Sequence, residues 1–265
     1  MSCKIVYVFN GYQWLWRQLM LSIKTLRQFV KDNIVVFYGP PRYEEHIKWL
    51  EPRCDLRLVE TPLNEPGFVE TRKYAKDRFY GLPMKFHAYE VEAPQMIHLD
   101  CDTTIHGNPL EVLKWKDFDI AVAKWQGGRT DEIMRSNLES LGLPHWPLMM
   151  DGFVVCKNNA HNKFLPIYRD YMIRVLNGDI TPHDDMHMCV HSYNLALGQM
   201  RKNGYKIVQM PSGWHSYTYT RYVHHLENRC FEESLETSIF TETEQRLKKI
   251  GAKDTLRLYS NGTVA

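Results

Sequence analysis

Apolar positions along this chain follow two spacings. Short runs of β-branched and aromatic residues at 4–9, 33–38, 56–59, 95–99, 118–124, 152–156 and 205–210 each predict a buried strand. After the first run, which ends at the turn signal Asn10-Gly11, Leu15, Leu19, Ile23, Leu26 and Val30 recur at helical spacing with basic residues between them. A second helix is expected over 42–50. Phe86 and Tyr89, after Pro83, predict a helix leading into the 95–99 strand, and Phe164, Ile167, Tyr168, Tyr171, Met172 and Val175 predict another. Thr181-Pro182-His183-Asp184 has the form of a capping box with proline at the first helical position, opening a helix through Met186, Val190, Tyr193 and Leu197. The interval 125–147, with Gly127, Gly128, Pro144 and Pro147, reads as long and loop-rich, of a kind that is usually functional, and the last thirty residues as a helix and a tail.

The alternation of strand and helix over residues 4–59 predicts a parallel sheet wrapped by helices. Such sheets bind ligands beyond the carboxyl ends of their strands, so the segments 10–12 and 100–104 are expected at one edge. The length of 265 residues, with 44% hydrophobic and 24% charged residues, fits one globular α/β domain and excludes disorder. Lysine and arginine number 33 against 31 acidic residues, a formal net charge of +2, which is too weak a field for a nucleic-acid partner. An anionic ligand must therefore be held by a local site. The six cysteines include no Cys-x-x-Cys pair, which predicts reduced thiols and a cytoplasmic protein. No apolar run long enough to span a bilayer is present, and the amino terminus lacks the features of a signal peptide.

The candidate chemistry lies in Met-Ile-His-Leu-Asp-Cys-Asp-Thr-Thr, where Asp100 and Asp102 stand two residues apart behind a strand. Alternate side chains of an extended segment share a face, so the two carboxylates can converge on one divalent cation. The same residues fit an Asp-x-Asp-x-Thr phosphohydrolase nucleophile motif, with Gly178-Asp179 and Asp184 and Asp185 as the late acidic motif. Against that alternative, the segment before those acids has helical period where a strand is required, and three strands precede Asp100.

The ordered set of motifs resembles the nucleotide-diphosphosugar glycosyltransferases of the GT-A fold, in particular the glycogenin and bacterial galactosyltransferase-like family. The likeness covers about residues 4–227. Its elements are Ile97-His98-Leu99-Asp100-Cys101-Asp102, the following Pro109-Leu110-Glu111-Val112-Leu113, Lys85 fifteen residues upstream, and Tyr222-Val223-His224 far downstream. The resemblance implies a mostly parallel central sheet in a single domain, 1–102 forming the nucleotide-sugar half, 103–230 the acceptor half and 231–265 a carboxyl-terminal helix and tail. It also implies a Mn²⁺ or Mg²⁺ cofactor on Asp100, Asp102 and His224, with His225 and His215 as competing ligands. Phe9, Asn10, Tyr12, Lys85 and Asp100 would bind a UDP- or GDP-linked sugar, Tyr12 stacking on the base. Asp184, Asp185 and Asp151 are the candidates to face the reacting sugar or a hydroxyl acceptor such as a glycan, and retention of anomeric configuration is implied. A non-catalytic nucleotide-sugar-binding protein is the alternative from another class. Two departures fall on the acceptor and carboxyl-terminal sides: Asp151-Gly152-Phe153 stands where the family has Asn-Ser-Gly, and His225-Leu226-Glu227 where it has Lys-Pro-Trp.

Overall fold

Strands buried on both faces need no polar alternation, and the Val- and Ile-rich runs of this sequence build such a sheet. The computed structural model describes residues 3–11, 13–62, 83–125, 131–182, 188–211, 213–216 and 223–225. The first half runs β1 (Cys3–Phe9), α1 (Gln13–Leu26), β2 (Ile34–Tyr38), α2 (Glu44–Leu50) and β3 (Asp55–Leu58), then a 3₁₀ helix (Pro83–Glu90), β4 (Gln95–Leu99) and β5 (Thr103–Ile105). The second half runs from a 3₁₀ helix (Pro109–Lys114) to β6 (Ile120–Lys124), α3 (Asp131–Ser140), β7 (Met149–Cys156), α4 (Ala160–Leu176) and α5 (Met188–Lys202). Three short strands close it, β8 (Ile207–Gln209), β9 (His215–Ser216) and β10 (Val223–His225).

Seven strands form the main sheet in the order β3-β2-β1-β4-β7-β6-β8, and β5, β10 and β9 form a second, small sheet. β7 is antiparallel to both of its neighbours, while all other main-sheet pairs are parallel. The sheet is therefore mostly parallel, as expected. One core cluster gathers Phe86, Tyr89, Phe164, Tyr168 and Tyr193 with the facing strand residues, and the other gathers Phe9, Leu19, Ile23, Tyr38 and Trp49. The five cysteines among the described residues are all free thiols. No described helix is long and apolar enough to cross a membrane.

The loop-rich 125–147 interval also holds α3, which buries Met134 and Leu138. Two expectations are corrected. The helix after Pro83 is a 3₁₀ helix in which six of eight residues are buried, so no single apolar face governs it. β7 starts at Met149 rather than Gly152, which puts Asp151 inside the strand. The described part of the helix expected from Pro182 begins at Met188, and the acidic half of its capping box lies outside the described residues.

Candidate functional site

Because β7 runs against β4, the end of β4 meets the start of β7 at the carboxyl edge of the sheet. The Asp100 amide donates to the Gly152 carbonyl at 3.0 Å, which puts Asp100 beside the segment that carries Asp151. On its other side β7 leaves register. Val122 pairs with Val154 and Ala123 with Met150, so residues 151–153 bulge away from β6. Bulges of this kind re-aim side chains at sheet ends. Asn194 of α5 anchors the start of β7, its Oδ1 accepting from the Met149 amide at 2.7 Å and its Nδ2 donating to the Met149 carbonyl at 2.8 Å.

Lys85, on the 3₁₀ helix before β4, joins the two acids. Its Nζ lies 3.0 Å and 3.1 Å from the two carboxylate oxygens of Asp100 and donates to Asp151 Oδ2 at 2.8 Å. The side chains are 21%, 14% and 8% exposed for Lys85, Asp100 and Asp151, so these charges face one another largely out of water. Burial works against the ammonium, but Asp100 and then Asp151 outweigh it and hold Lys85 well above the usual lysine range. His98, on β4 and buried, adds a ring nitrogen 3.3 Å from Asp100 Oδ1, while its Nδ1 lies 3.2 Å from the Val6 carbonyl.

A chain of buried hydroxyls fixes the Asp100–Asp102 turn from beneath. Thr103 Oγ1 donates to the Asp100 carbonyl at 2.7 Å, so its oxygen accepts from Ser22 Oγ at 3.0 Å, and Ser22 in turn accepts from Tyr7 at 2.8 Å. Thr25, three residues past Ser22 in α1, accepts from the Ile105 amide at 3.0 Å. Cys101 donates its thiol to the Val8 carbonyl at 3.1 Å. Burial first, then Asp100 and Asp102, push that thiol well above its ordinary range, so it is an inert strut rather than a nucleophile.

Among the predicted site residues, Lys85, Asp100 and Asp151 come together, with Asp102 half-buried in the turn that follows. The Phe9 ring is fully buried, 5.0 Å from Tyr38 and 5.8 Å from Trp16. Asn10 is half-buried beyond β1, and Gly11 packs so closely on Pro41 that a Cβ would meet its carbonyl oxygen at 1.7 Å. Tyr12, Asp184 and Asp185 lie outside the described residues. The backbone of β10 pairs His224 with Thr104 and His225 with Thr103, so this late strand runs beside the residues that follow Asp102. His215 is buried in β9, next to β10. His98, Ser22 and Thr103 were missed. A histidine inside an apolar strand and a serine on the buried face of a helix were the available signals.

Among the described residues no three His, Cys, Asp or Glu side chains form a complete metal site. The donor set nevertheless fits a divalent cation. Carboxylate oxygens suit Mg²⁺ and Mn²⁺, and Asp100 and Asp151 present them around Lys85, with Asp102 two residues further along the chain. A separate concavity of about 540 Å³ lies at the opposite edge, around Gln95, Trp115, Phe118, Asp119, Lys157 and Lys206.

No family model and no curated protein sequence matches this chain. Solved structures do. Mouse xyloside xylosyltransferase 1 in its apo form is similar at 11% identity and a TM-score of 0.53, over 84% of this chain and 97% of that one. The galactosyltransferase LgtC, in complex with donor and acceptor sugar analogs, is similar at 10% identity and a TM-score of 0.53, over 80% and 74% of the two chains. An LgtC active-site mutant gives 9% identity and a TM-score of 0.57 over 94% and 95%. At these identities the likeness establishes the fold, which is the GT-A glycosyltransferase fold.

Proposed function

We propose that this chain is a glycosyltransferase that moves a sugar from a nucleotide diphosphate donor, UDP- or GDP-linked, to a hydroxyl acceptor, with retention of configuration. The observation that supports it most directly is the Lys85 ammonium bridging Asp151 and Asp100, the latter two residues before Asp102, at the carboxyl edge of a GT-A sheet. Mn²⁺ or Mg²⁺ on Asp100 and Asp102, with His224 as third ligand, would supply Lewis-acid stabilisation of the departing diphosphate. Lys85 contributes a fixed positive charge in the same place, and being held from two sides it needs little reorganisation when a diphosphate arrives. Asp151, buried and locked by Lys85, offers a carboxylate acceptor that can orient a hydroxyl of the transferred sugar. We assign Asn10 and Tyr12 to the nucleoside, and Asp185, with Asp184 beside it, to the reacting sugar or acceptor. The donor half is then 1–102 and the acceptor half 103–230.

The phosphohydrolase alternative needs a strand ahead of its late acidic motif, and α4 (Ala160–Leu176), a helix, stands ahead of Asp179. The test is thermal denaturation with and without Mn²⁺ and nucleoside diphosphates. A ligand at 100 times its Kd stabilises by about 2.7 kcal/mol through linkage, so Mn²⁺ with UDP or GDP should raise Tm and Asp102→Ala should abolish the rise without unfolding the chain. No shift with either nucleotide, or a shift undiminished in Asp102→Ala, overturns the reading.

A further inference from the structure

The register of β4 with β7 ends at Leu99 and Phe153, with one further bond from the Asp100 amide to the Gly152 carbonyl at 3.0 Å. β7 itself begins at Met149, so its first residues run beyond the end of β4. The Trp125 amide, just past β6, donates to the Leu148 carbonyl at 2.8 Å, which turns that carbonyl toward the β6 side. Across a planar trans peptide the next N–H points the opposite way. The Met149 amide therefore faces the side that β4 has vacated. Met149 is fully buried, and a buried backbone N–H and C=O must be paired.

Asn194 of α5 supplies both partners. Its Oδ1 accepts from the Met149 amide at 2.7 Å and its Nδ2 donates to the Met149 carbonyl at 2.8 Å, so one side chain does what a strand residue would do there. A further bond from Nδ2 to the Val190 carbonyl at 2.7 Å, one turn back in α5, fixes the amide, which is 2% exposed. Asp151 then stands between two anchors. Met149, two residues before it, is held by Asn194, and Gly152, one residue after it, by Asp100. On the other side the bulge opposite Val122 and Ala123 takes residues 151–153 out of register with β6. A bulged segment is aimed by its ends, and its product here is the Asp151 carboxylate seated on Lys85 at 2.8 Å.

We propose that Asn194 is a positioning residue for the sugar half of the donor: by closing β7 at Met149 it aims the Asp151 carboxylate at a hydroxyl of the transferred sugar. The inference rests on the glycosyltransferase reading above and deepens it. Asn194 touches neither substrate nor cation, and its effect passes through Asp151.

The experiment is isothermal titration of the full chain in Mn²⁺ with UDP and GDP, and with UDP-glucose, UDP-galactose, UDP-xylose and GDP-mannose. The quantity read is the Kd of the tightest nucleotide sugar divided by that of its nucleoside diphosphate. Asn194→Ala should raise this ratio about tenfold, the size of one hydrogen bond to a charged group, and Asp151→Asn should raise it at least as much. The double variant should lose no more than Asp151→Asn alone, since the two residues act as one unit. A merely structural role would lower Tm and leave the ratio unchanged. Where Asn194→Ala fails to fold, Asn194→Ser, which leaves room for a water at the Met149 groups, takes its place. An unchanged ratio in a folded Asn194 variant, or losses that add in the double variant, overturns the role of Asn194 and spares the glycosyltransferase reading. A ratio that Asp151→Asn leaves unchanged overturns the sugar contact and Asn194 with it. If the natural protein binds no nucleotide sugar, the glycosyltransferase reading itself falls.

Discussion

Acids and lysines gather at both edges of the main sheet, but they are used differently. At the carboxyl edge, Lys85 bonds to the carboxylates of Asp100 and Asp151, and all three are largely buried. At the opposite edge the charges close on backbone and neutral groups. Asp119 accepts from the Lys206 amide at 2.9 Å and from Asn158 at 3.1 Å, and Lys157 donates to the Trp115 carbonyl with its ammonium 4.1 Å over the Phe118 ring. A cavity of about 540 Å³ lies at the second edge, and the buried charge cluster lies at the first. Concavity alone did not separate them. What separates them is charge held against charge inside the protein, an arrangement that is costly to maintain and that a charged ligand can use.

The sharpest way to break this comparison is Lys85→Met, which removes the ammonium that the buried Asp100 and Asp151 share. Removing one member of a buried ionic set costs roughly 3 kcal/mol, so a large fall in Tm is expected, with loss of nucleotide binding. Adding Asp151→Asn should recover part of the stability but not the binding. A Lys85→Met protein as stable as the natural one would show the carboxyl edge to be no more strained than the other.

The same contrast explains what the sequence made legible. β1, β2 and β4 read clearly because strands buried on both faces are continuous apolar runs that flanking Gly and Asn interrupt, whereas Asp151-Gly152 inside β7 hid its start. The edge that carries Asp100 followed from strand order alone, and Lys85 was found through a resemblance. α3 was hidden because only Met134 and Leu138 of its ten residues anchor it on the core, too few to set a period in a polar segment bounded by glycines. β5 was hidden because its three residues owe their conformation to β10, more than a hundred residues away, and to Thr25. The hydroxyl chain from Tyr7 to Thr103 was invisible for a similar reason: Ser22 looks like a polar break in α1 until its partner 81 residues later is known.

The opposite edge should respond more mildly and in stability alone. Asp119→Ala removes the bonds to the Lys206 amide and Asn158, which tie the start of β6 to β8 and to the end of β7. Hydrogen bonds to a charged group contribute about 1.5–3 kcal/mol, and with solvent close by a loss of about 2 kcal/mol is expected. Mn²⁺ and nucleotide titrations of Asp119→Ala should match those of the natural chain, and a weakened nucleotide response would show the two edges to be coupled.

The smallest effect separates the neutral from the charged histidines. Burial lowers the pKa of His161 against an opposing bond to the Val91 carbonyl, and lowers that of His46 against Glu45. Burial also acts on His87, but the Glu90 carboxylate and the Glu60 carbonyl overcome it and raise its pKa. The unfolded reference for all three is 6.5. For His161 and His46 the folded state binds fewer protons than the unfolded one just below that value, so stability is lost as pH falls from 6.5 toward the folded pKa. For His87 the sign reverses: its contribution is complete below 6.5 and is lost as pH rises through its folded pKa. Together the two limbs should give a shallow maximum in Tm near pH 6.5. His87→Gln should flatten only the limb above the maximum and His161→Asn only the limb below it. Equal flattening of both limbs by either substitution would mean that the two histidines do not titrate as independent local contacts.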